Sequence, residues 1–362
     1  MDLAYFVYTL LLVIMVLSFS MINTYQAAKI KPIILGFSII LFSLVLGLRY
    51  DVGTDYLGYK EDFLAGNERF EVGYSLVCDL FRTIGFDYPS IFIFSVFIQF
   101  LFFYLGVKDN KRILPWAVFF YFTTLHLFLS LNVIRQTIAF SIFIYAVKFI
   151  NNKSFPRYLL WCLIASTFHK SAIILIPFYL LNHINNDIKP YIYLLPYWAF
   201  FICGPFIKDM IWDNFDILAK LIGYQSYSTN INNLQEVNWN NENSLGLASY
   251  FWLVLNSLII YKSKEITKIS SLPGYKIYYL LFYFGLLVDK VVSGTYLERP
   301  FIYFVNIKII VYAYFFYYIF SKQNKIVLKI LSVLYVIIFI AFYYMAIHNH
   351  ASQCSPFKFV TL

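Results

Sequence analysis

Hydrophobic runs recur along the whole chain and alternate with short polar stretches. We predict helical spans in twelve of these runs, at residues 3–22, 32–48, 90–107, 113–131, 132–150, 157–168, 171–182, 190–207, 245–261, 275–293, 301–320 and 326–347. A helix needs about 20 apolar residues to cross the hydrocarbon core of a bilayer, and most runs approach that length. The pattern therefore predicts an all-α, polytopic integral membrane helix bundle of about 12 transmembrane segments, in which residues 1–362 form a single transmembrane domain.

Two consecutive runs, 157–168 and 171–182, are shorter than the others. The first has twelve residues and makes a helix about 18 Å long, whereas the hydrocarbon core is about 30 Å thick. A polar turn inside the bilayer is tolerated where it lines protein or a wet cavity. We therefore expect His169 and Lys170, at the tip of this short helix pair (157–182), to face an aqueous pocket. The alternative is that both runs tilt in a locally thinned membrane.

Two polar stretches, 49–89 and 208–244, are long enough to be outer loops with a role of their own. The first carries eight acidic and four basic residues. Apolar residues recur within it at every fourth position, at Val72, Leu76, Leu80 and Ile84. This spacing predicts an amphipathic helix that lies on the membrane or beneath the loop. The second stretch is rich in asparagine, and an irregular loop of that length is usually either functional or disordered.

Lysine and arginine gather in every second polar loop between the predicted spans. They occur at Lys29, Lys31, Lys108, Lys111, Arg112, Lys153, Arg157, Lys189, Lys262, Lys264, Lys268, Lys322 and Lys325. Loops with this bias face the cytoplasm, so the alternate loops and both chain ends are predicted on the outer side. In a bacterium this is the periplasmic side of the inner (cytoplasmic) membrane. Because the net charge of +9 comes from these loops, we predict the lipid bilayer as a partner and exclude a nucleic acid.

Two arginines stand at the outer ends of predicted spans. Arg49 follows the second span and runs against the charge bias of the outer loops, although Tyr56 and Tyr59 beside it also fit an interfacial aromatic belt. Arg135, next to Gln136, lies one turn into the fifth span, where an unpartnered guanidinium costs about 2.5–3.5 kcal/mol. Its predicted partner is either a carboxylate, in a structural ion pair, or a phosphate, which arginine binds in a bidentate manner.

Three further groups carry candidate chemistry on the outer side. Asp55 and Glu71 lie in the first outer loop and are the carboxylates that would pair with Arg135 in the structural alternative. His169 has an ordinary pKa near neutrality, which suits general acid or base catalysis or hydrogen bonding to a diphosphate. A lone histidine in an apolar setting is also often only structural. Arg299 begins the eleventh span, again on the outer side.

The candidate cations come from distant parts of the chain, yet all are predicted at the outer leaflet. They are Arg49, Arg135, His169, Lys170 and Arg299. The sequence has no cluster with the spacing of metal ligands, no nucleotide-binding loop and no nucleophile elbow. A pocket lined by cations and lacking a nucleotide site favours a lipid phosphate or diphosphate as ligand. We expect no metal and no cofactor.

Several short motifs, taken in order, resemble those of a known family. They are "RYDVGTDYLGY" (49–59), "ERFEVGYSLV" (68–77), "NVIRQTIAFSIFIYAVKFI" (132–150), "LIASTFHKSAIILIP" (163–177), "ERPFIYF" (298–304) and the tail "SPFKF" (355–359). Together they resemble the EpsG-like family of polytopic polysaccharide polymerases, which are Wzy-like proteins of exopolysaccharide and O-antigen biosynthesis. The resemblance covers nearly the whole chain and is strongest between Arg49 and Pro177.

The resemblance implies an activity. Proteins of this kind join undecaprenyl-diphosphate-linked oligosaccharide repeat units on the periplasmic face, by metal-independent glycosyl transfer with the lipid diphosphate as leaving group. The implied partners are a lipid-linked donor, a lipid-linked acceptor, and the chain-length regulator and flippase of the same pathway. Such chemistry needs cations on the departing diphosphate and a base near the acceptor hydroxyl.

By position, the resemblance also implies roles for individual residues. Arg135, Arg49 and Arg299 would hold the diphosphate, and His169 would bind the diphosphate or take the acceptor proton. Asp55 and Glu71 are the candidates for the base or for sugar binding. Further substrate-binding candidates are Gln136, Lys170, Tyr59 and Tyr56.

Two other classes of protein remain open on the residues alone. A flippase or transporter of lipid-linked oligosaccharides would spread its charges through a central cavity, whereas the charges here gather on the outer side. A membrane O-acyltransferase acting on polysaccharide would place its catalytic histidine near a donor on the inner side, whereas His169 is predicted outside. A ligase that moves finished polymer uses nearly the same chemistry, and only the family resemblance separates it from a polymerase.

Overall fold

The described part of the protein folds into helices that form two compact units. The computed structural model describes residues 3–24, 29–66, 70–184, 189–213, 247–269, 272–292 and 298–360. The first unit contains residues 1–184, 272–278 and 309–362, and the second contains residues 185–271 and 279–308. The prediction of a single domain over 1–362 stays a prediction.

The helices follow the apolar runs of the sequence, although the predicted spans 113–131 and 301–320 are each divided into two helices. The first nine are α1 (Leu3–Thr24), α2 (Ile30–Gly47), α3 (Tyr56–Ala65), α4 (Val72–Ile84), α5 (Pro89–Val107), α6 (Leu114–Thr123), α7 (His126–Asn132), α8 (Ile134–Asn151) and α9 (Phe155–Phe168). The later ones are α10 (Pro190–Asp213), α11 (Leu247–Thr267), α12 (Tyr275–Val292), α13 (Glu298–Asn306), α14 (Lys308–Ser321) and α15 (Ile326–His348). Tightly wound 3₁₀ segments add Lys108–Ile113, Lys170–His183 and Ala351–Gln353.

Six helical stretches within the described residues are long and apolar enough to cross a membrane. They are Leu3–Ile22, Ile30–Gly47, Pro89–Thr123, Pro190–Met210, Glu298–Ser321 and Ile326–His348. The predicted count of about 12 spans is therefore not confirmed. Two of the predicted spans are too short, because α9 and the 3₁₀ segment Lys170–His183 have 14 residues each, below the ~17 that a spanning helix needs. Three others, α8, α11 and α12, have 18, 21 and 18 residues and are long enough but too polar.

Helix α8 forms the centre of the first unit. Nearly every side chain along it is buried, and a helix that is apolar on all sides belongs in an interior. On one side lies α5, whose Gln99 amide donates hydrogen bonds to the carbonyls of Ser130, at 3.4 Å, and Ile134, at 3.3 Å. The first turn of α8 carries Arg135, which contacts the loop before α4 at one end of the unit.

The predicted amphipathic helix in the first outer loop is confirmed as α4. Its apolar stripe is exposed, with 69% of Val72, 62% of Leu76, 56% of Leu80 and 57% of Ile84 accessible. The opposite face buries Tyr74. The helix ends at Gly85, whose φ of 89° is the left-handed conformation that glycine adopts without strain. One face of α4 therefore packs against the protein, and the other is an exposed apolar surface suited to contact with lipid.

The short helix pair is also confirmed. Helix α9 ends at Phe168, His169 adopts an extended conformation, and the 3₁₀ segment begins at Lys170. The two arms pack together, and the Tyr158 hydroxyl donates a hydrogen bond to the Leu175 carbonyl at 2.5 Å. The tip that carries His169 and Lys170 is therefore fixed by the packing of its own arms.

The second unit is built from α10, α11, α13 and most of α12. Trp198 of α10 donates a hydrogen bond through Nε1 to Ser257 Oγ at 2.9 Å, and Asn256 donates to the Tyr197 hydroxyl at 3.2 Å. These contacts join α10 to α11. Of the predicted outer loop 208–244, residues 214–244 lie outside the described part of the chain.

Candidate functional site

Four loops and the chain terminus meet at one end of the first unit. The loop after α2 contacts both the tail and the end of α7, through Tyr50 and Arg49 respectively. The residue before α4, Glu71, contacts both the first turn of α8 and the turn after α9. The sequence places all these segments on the same predicted side of the membrane, and in the structure they lie together.

The centre of this end is an ion pair between Arg135 and Glu71. Arg135 Nη1 donates a hydrogen bond to Glu71 Oε2. The two side chains are 21% and 17% exposed, so the pair is largely shielded from solvent but still accessible. The Phe70 ring lies over the guanidinium, with its centroid 4.1 Å from Arg135 Cζ, which is within the range of a cation–π contact. The Tyr59 side chain is close enough to Arg135 for the guanidinium to lower the pKa of its hydroxyl.

The second carboxylate oxygen of Glu71 connects the pair to the tip of the short helix pair. Glu71 Oε1 accepts a hydrogen bond from the Lys170 backbone N–H at 3.2 Å. The approach of α4 to α9 depends on Gly73, because a Cβ there would lie 2.4 Å from Thr167 Oγ1 and 2.9 Å from its carbonyl oxygen. A glycine at the start of α4 thus allows Glu71 to reach the tip.

The charge state of Glu71 follows from two opposed influences. Burial raises the pKa of its carboxyl, but the Arg135 guanidinium, hydrogen bonds from backbone N–H groups and the nearby His169 lower it. The net result is a pKa below the ordinary value of 4.5, so Glu71 is ionised at neutral pH. If Arg135 were engaged elsewhere, burial would be left as the main influence and the pKa of Glu71 would rise.

His169 is held between two helical segments. Its backbone is extended, at φ −154° and ψ 115°, and its ring is half-buried. Nδ1 lies 2.6 Å from Ser171 Oγ, so this hydroxyl orients the imidazole. Sequence reasoning did not select Ser171, although a hydroxyl two residues from a histidine at a tight turn is a recognisable signal. The side chain of Lys170 is exposed.

Tyr59 and Asp55 lie on the α3 side of the ion pair. Tyr59 is buried, with its ring centroid 5.4 Å from that of Phe70. Burial raises the pKa of the Tyr59 hydroxyl, Arg135 lowers it and Asp55 raises it further. Asp55 is exposed at the start of α3 and acts on the site through its charge. The roles predicted from the sequence for these two residues stay predictions.

Arg49 has surroundings of a different kind. Its side chain is fully buried, and its guanidinium donates hydrogen bonds to three backbone carbonyls: Val52 at 3.0 Å, Leu46 at 2.7 Å and Leu131 at 2.9 Å. Its Cζ lies 4.9 Å from the Phe92 ring centroid. Burial lowers the pKa of Arg49 to about 10, so the group remains charged at neutral pH. This geometry gives Arg49 a structural role, since no face of the guanidinium is open to a ligand.

Arg49, Phe92 and the loop 48–54 form the Arg49 cluster, which also contacts the C-terminal tail of the chain. Tyr50 N–H donates to the Lys358 carbonyl, and Val360 N–H to the Leu48 carbonyl, both at 2.8 Å. Asn132 Oδ1 accepts hydrogen bonds from the backbone N–H and the hydroxyl of Thr54. The "SPFKF" tail, noted in the sequence only for its resemblance, therefore closes against the loop after α2.

The remaining predicted residues, Tyr56, Gln136 and Arg299, do not contact the ion pair in any hydrogen bond given by the structure of the described residues. Tyr56 is fully buried and stacks on Phe92, with ring centroids 4.4 Å apart, so it belongs to the Arg49 cluster. Gln136 is buried beside Arg135 in α8. Arg299 is exposed in the first turn of α13, in the second unit. Its predicted convergence with the other cations stays a prediction.

The cluster of Arg135, Glu71, Tyr59 and His169 has groups suited to anion binding and proton transfer. The Arg135 Nε–H is buried and has no hydrogen-bond partner within the described residues, which leaves a donor for a ligand oxygen. The carboxylate and the imidazole are acid–base groups: the carboxylate contacts the guanidinium, and the imidazole is close enough to lower the pKa of the Glu71 carboxyl. In the described part of the chain, no three or more His, Cys, Asp or Glu residues are grouped so as to hold a metal ion.

Comparison with models of protein families gives a match over most of the chain. The model of the EpsG family matches residues 32–359, which is most of the chain and includes every residue of the cluster. No curated protein matches. No solved structure matches either.

Proposed function

Because the chain belongs to the EpsG family, and so to the membrane proteins of polysaccharide biosynthesis, we propose that it polymerises lipid-linked oligosaccharide repeat units. The proposed substrates are undecaprenyl-diphosphate-linked oligosaccharides, one as donor and one as acceptor. The proposed place is the periplasmic face of the bacterial inner membrane, in agreement with the lysine and arginine bias of the alternate loops. The polymer would be an O-antigen or an exopolysaccharide.

The observation that carries this proposal is the contact network of Glu71 with Arg135 and the Lys170 backbone. A carboxylate in contact with a guanidinium occupies a position that a phosphate oxygen can also take, because arginine binds both anions with the same donor geometry. The unpaired Arg135 Nε–H offers a second donor to a diphosphate. Arg135 is therefore suited to exchange the Glu71 carboxylate for the diphosphate of the substrate.

Exchange of the anion would also prepare a base. Once the diphosphate engages Arg135, Glu71 loses the charge that lowers its pKa, and burial then raises it toward the range of a general base. In the proposed step an acceptor hydroxyl oxygen bonds to the anomeric carbon of the donor sugar. The bond from that carbon to the diphosphate oxygen breaks, and the electron pair leaves with the diphosphate. The hydroxyl proton goes to Glu71, with His169, oriented by Ser171, as the alternative acceptor.

Arg49 is left out of the proposed ligand set. Its donors already bind backbone carbonyls, and a diphosphate would have to displace those contacts in a fully buried position. Its proposed role is to hold the loop that carries α3, and with it Tyr59, beside the ion pair.

The test is a complementation experiment in a strain from which this gene is deleted. Surface polysaccharide is resolved on a gel, and a lost polymerase leaves single repeat units where the parent shows a ladder. Expression of the Arg135→Ala variant should leave single units, whereas the wild-type chain should restore the ladder. Arg82→Ala is the matched control, because Arg82 also pairs with a carboxylate, Asp79, and lies 5.5 Å from the Phe63 ring centroid.

Each other outcome points to another function. If the deletion removes every repeat unit from the surface, the protein is a flippase or transporter. If the ladder persists without acyl groups, it is an O-acyltransferase. If finished polymer accumulates on its carrier, it is a ligase. A wild-type ladder with Arg135→Ala overturns the role of Arg135 in leaving-group binding.

A further inference from the structure

A groove lies on the outside of the first unit, between α2, α5 and the end of α4. Its walls are mainly apolar and aromatic, and they include Ile40, Leu44, Phe81, Phe86, Ile93 and Phe94. The groove has a volume of about 540 Å³. That volume falls within the roughly 300–1,000 Å³ of pockets that bind small molecules, so the groove is large enough for a section of a ligand.

Two of the walls belong to helices that can cross a membrane. Helix α2 exposes Ile33, Phe37, Ile40 and Leu44 along one face, and the last two of these line the groove. The opposite wall is the first part of α5, within the candidate span Pro89–Thr123. A groove on the lateral face of two spanning helices meets hydrocarbon, so its occupant is an apolar chain.

The loop-side end of the groove is closed by a tight helix contact. A Cβ on Gly47 would lie 2.5 Å from the Ile93 Cα, so α2 and α5 touch there because Gly47 has no side chain. The polar residues of the groove include Asp87 and Ser90, which lie at the start of α5. A carboxylate at this end disfavours a phosphate, so the anionic group of any bound lipid has to lie elsewhere.

Helix α4 connects the groove to the ion pair. Its exposed stripe runs from Val72, next to Glu71, to Ile84, close to the groove residue Phe86. The 13 residues of α4 make this path about 20 Å long. Because Phe81 of α4 lines the groove and Glu71 immediately precedes α4, the exposed stripe extends the apolar surface from the groove toward the proposed diphosphate site.

We propose that the groove and the apolar stripe of α4 bind the polyprenyl chain of the lipid-linked substrate, with its diphosphate at Arg135. This inference rests on the proposed function for the identity of the lipid. The chain lies in the groove and along α4, so the reacting sugar is held at a fixed height above the bilayer. Phenylalanine rings on the groove walls suit a bulky, methyl-branched chain.

The test uses an undecaprenyl diphosphate analogue with a diazirine near the far end of its chain. Purified full-length protein is reconstituted in vesicles of phosphatidylethanolamine and phosphatidylglycerol, irradiated and digested, and labelled peptides are located by mass spectrometry. We expect labelling within residues 40–44 and 86–97 that unlabelled undecaprenyl diphosphate competes away. Leu44→Trp, which fills the groove, should lower labelling about tenfold, which corresponds to about 1.4 kcal/mol.

The control variant and the second filling variant lie on the same helix as Leu44, α2. Phe37→Trp adds a ring to the same exposed face outside the groove and should leave labelling unchanged. Ile40→Trp is a second filling variant in case Leu44→Trp does not fold. Labelling that excess undecaprenyl diphosphate does not reduce, or that matches the labelling by a diazirine phospholipid, would show that bilayer lipids fill the groove and would overturn the proposal.

The labelling experiment is separable from the polymerisation experiment. If the groove is labelled but Arg135→Ala still forms a ladder, the proposed function fails and the lipid site stands. If the ladder depends on Arg135 but the groove is not labelled, the lipid site fails and the function stands.

Discussion

Arg49 and Arg135 lie at the same end of the first unit, and each guanidinium has at least one aromatic ring over it. Their hydrogen-bond acceptors differ. Arg49 binds three backbone carbonyls in a fully buried position, whereas Arg135 binds the Glu71 carboxylate in a position that is 21% exposed. Backbone carbonyls belong to the fold and cannot be exchanged, whereas a side-chain carboxylate can turn away when another anion arrives.

This difference in hydrogen-bond acceptors distinguishes Arg49, a structural cation, from Arg135, a cation that is available to bind a ligand. In sequence the two arginines look alike, since both follow or begin an apolar run at the same predicted side. Burial and acceptor type distinguish them, because a buried guanidinium with fixed acceptors stabilises the loops it joins. The predictions below test this distinction, beginning with the largest expected effect.

Arg49→Ala should lower the stability of the folded protein most. It removes the donor from three buried carbonyls, and each unsatisfied buried group costs about 1–3 kcal/mol. The measurement is the melting temperature of the purified protein, followed by intrinsic fluorescence. Arg82→Ala serves as control and should change stability by less than about 1 kcal/mol, as for a partly exposed pair. A variant that melts like the wild type but forms no polymer would instead make Arg49 a ligand-binding residue.

Arg135→Ala should reduce polymer formation by about 10²–10³-fold, the range for loss of one group that stabilises developing charge. Its effect on the melting temperature should be smaller than that of Arg49→Ala, because the ion pair is partly exposed. Arg135→Lys should give an intermediate rate, since lysine keeps the charge but lacks the forked donors. If Arg49→Ala and Arg135→Ala lowered the melting temperature equally, Arg49 and Arg135 would not differ in their structural role.

Glu71→Gln should reduce the rate of polymerisation by about 10²-fold, the lower part of the range for general acid–base catalysis. The same variant should bind undecaprenyl diphosphate more tightly, because the internal anion that competes for Arg135 is gone. Rate and binding are measured separately, by polymer formation and by equilibrium binding to protein in vesicles. Weaker binding in this variant would mean that Glu71 does not compete with the substrate anion.

Ser171→Ala should slow polymerisation about fivefold, as expected for the loss of one hydrogen bond of ~1 kcal/mol that orients His169. Ser171→Thr keeps a hydroxyl and should restore most of the rate. Ser166→Ala is the matched control, since within the described residues the Ser166 hydroxyl donates only to a carbonyl of its own helix, that of Leu163, at 2.7 Å. If the threonine variant were as slow as the alanine variant, the hydroxyl would not be the group that matters.

The smallest effect should be an acid-dependent loss of stability caused by Glu71. Its folded-state pKa lies below the ordinary value of 4.5, so the ion pair contributes fully above pH 4.5. That contribution is lost as the pH falls through the lower, folded-state value. Melting temperatures measured across this range should show a larger decrease for the wild type than for Glu71→Gln. Parallel curves for the two proteins would contradict the assignment.

Much of the fold was predictable because its signals are local. Helices α2, α5 and α15 follow from long apolar runs, and α4 follows from a repeat of apolar residues at every fourth position. The interruption at His169 follows from the short runs on either side. The number of membrane spans was not predictable in the same way, because apolar runs do not show which helices are too short to span, such as α9, and which are buried inside the unit, such as α8.

The candidate site was predictable only in part. The sequence indicated Arg135 and two possible carboxylates, and in the structure it is Glu71 that forms the pair. It did not indicate Ser171 or the Phe70 ring over the guanidinium. It also did not indicate the hydrogen bonds between the C-terminal tail and the loop after α2. These contacts join loops that are distant in sequence, and the residue pattern of one segment does not show which other segment it contacts.

The sequence by itself determined that this is a helical membrane protein with charged loops gathered on one predicted side. Local periodicity and the high cost of charge in hydrocarbon are sufficient for that conclusion. Only the tertiary structure decided which arginine is structural and which is available to a ligand. The acceptor of Arg49 on Leu131 is 82 residues away and Glu71 is 64 residues from Arg135, so packing between distant segments assigns the two roles.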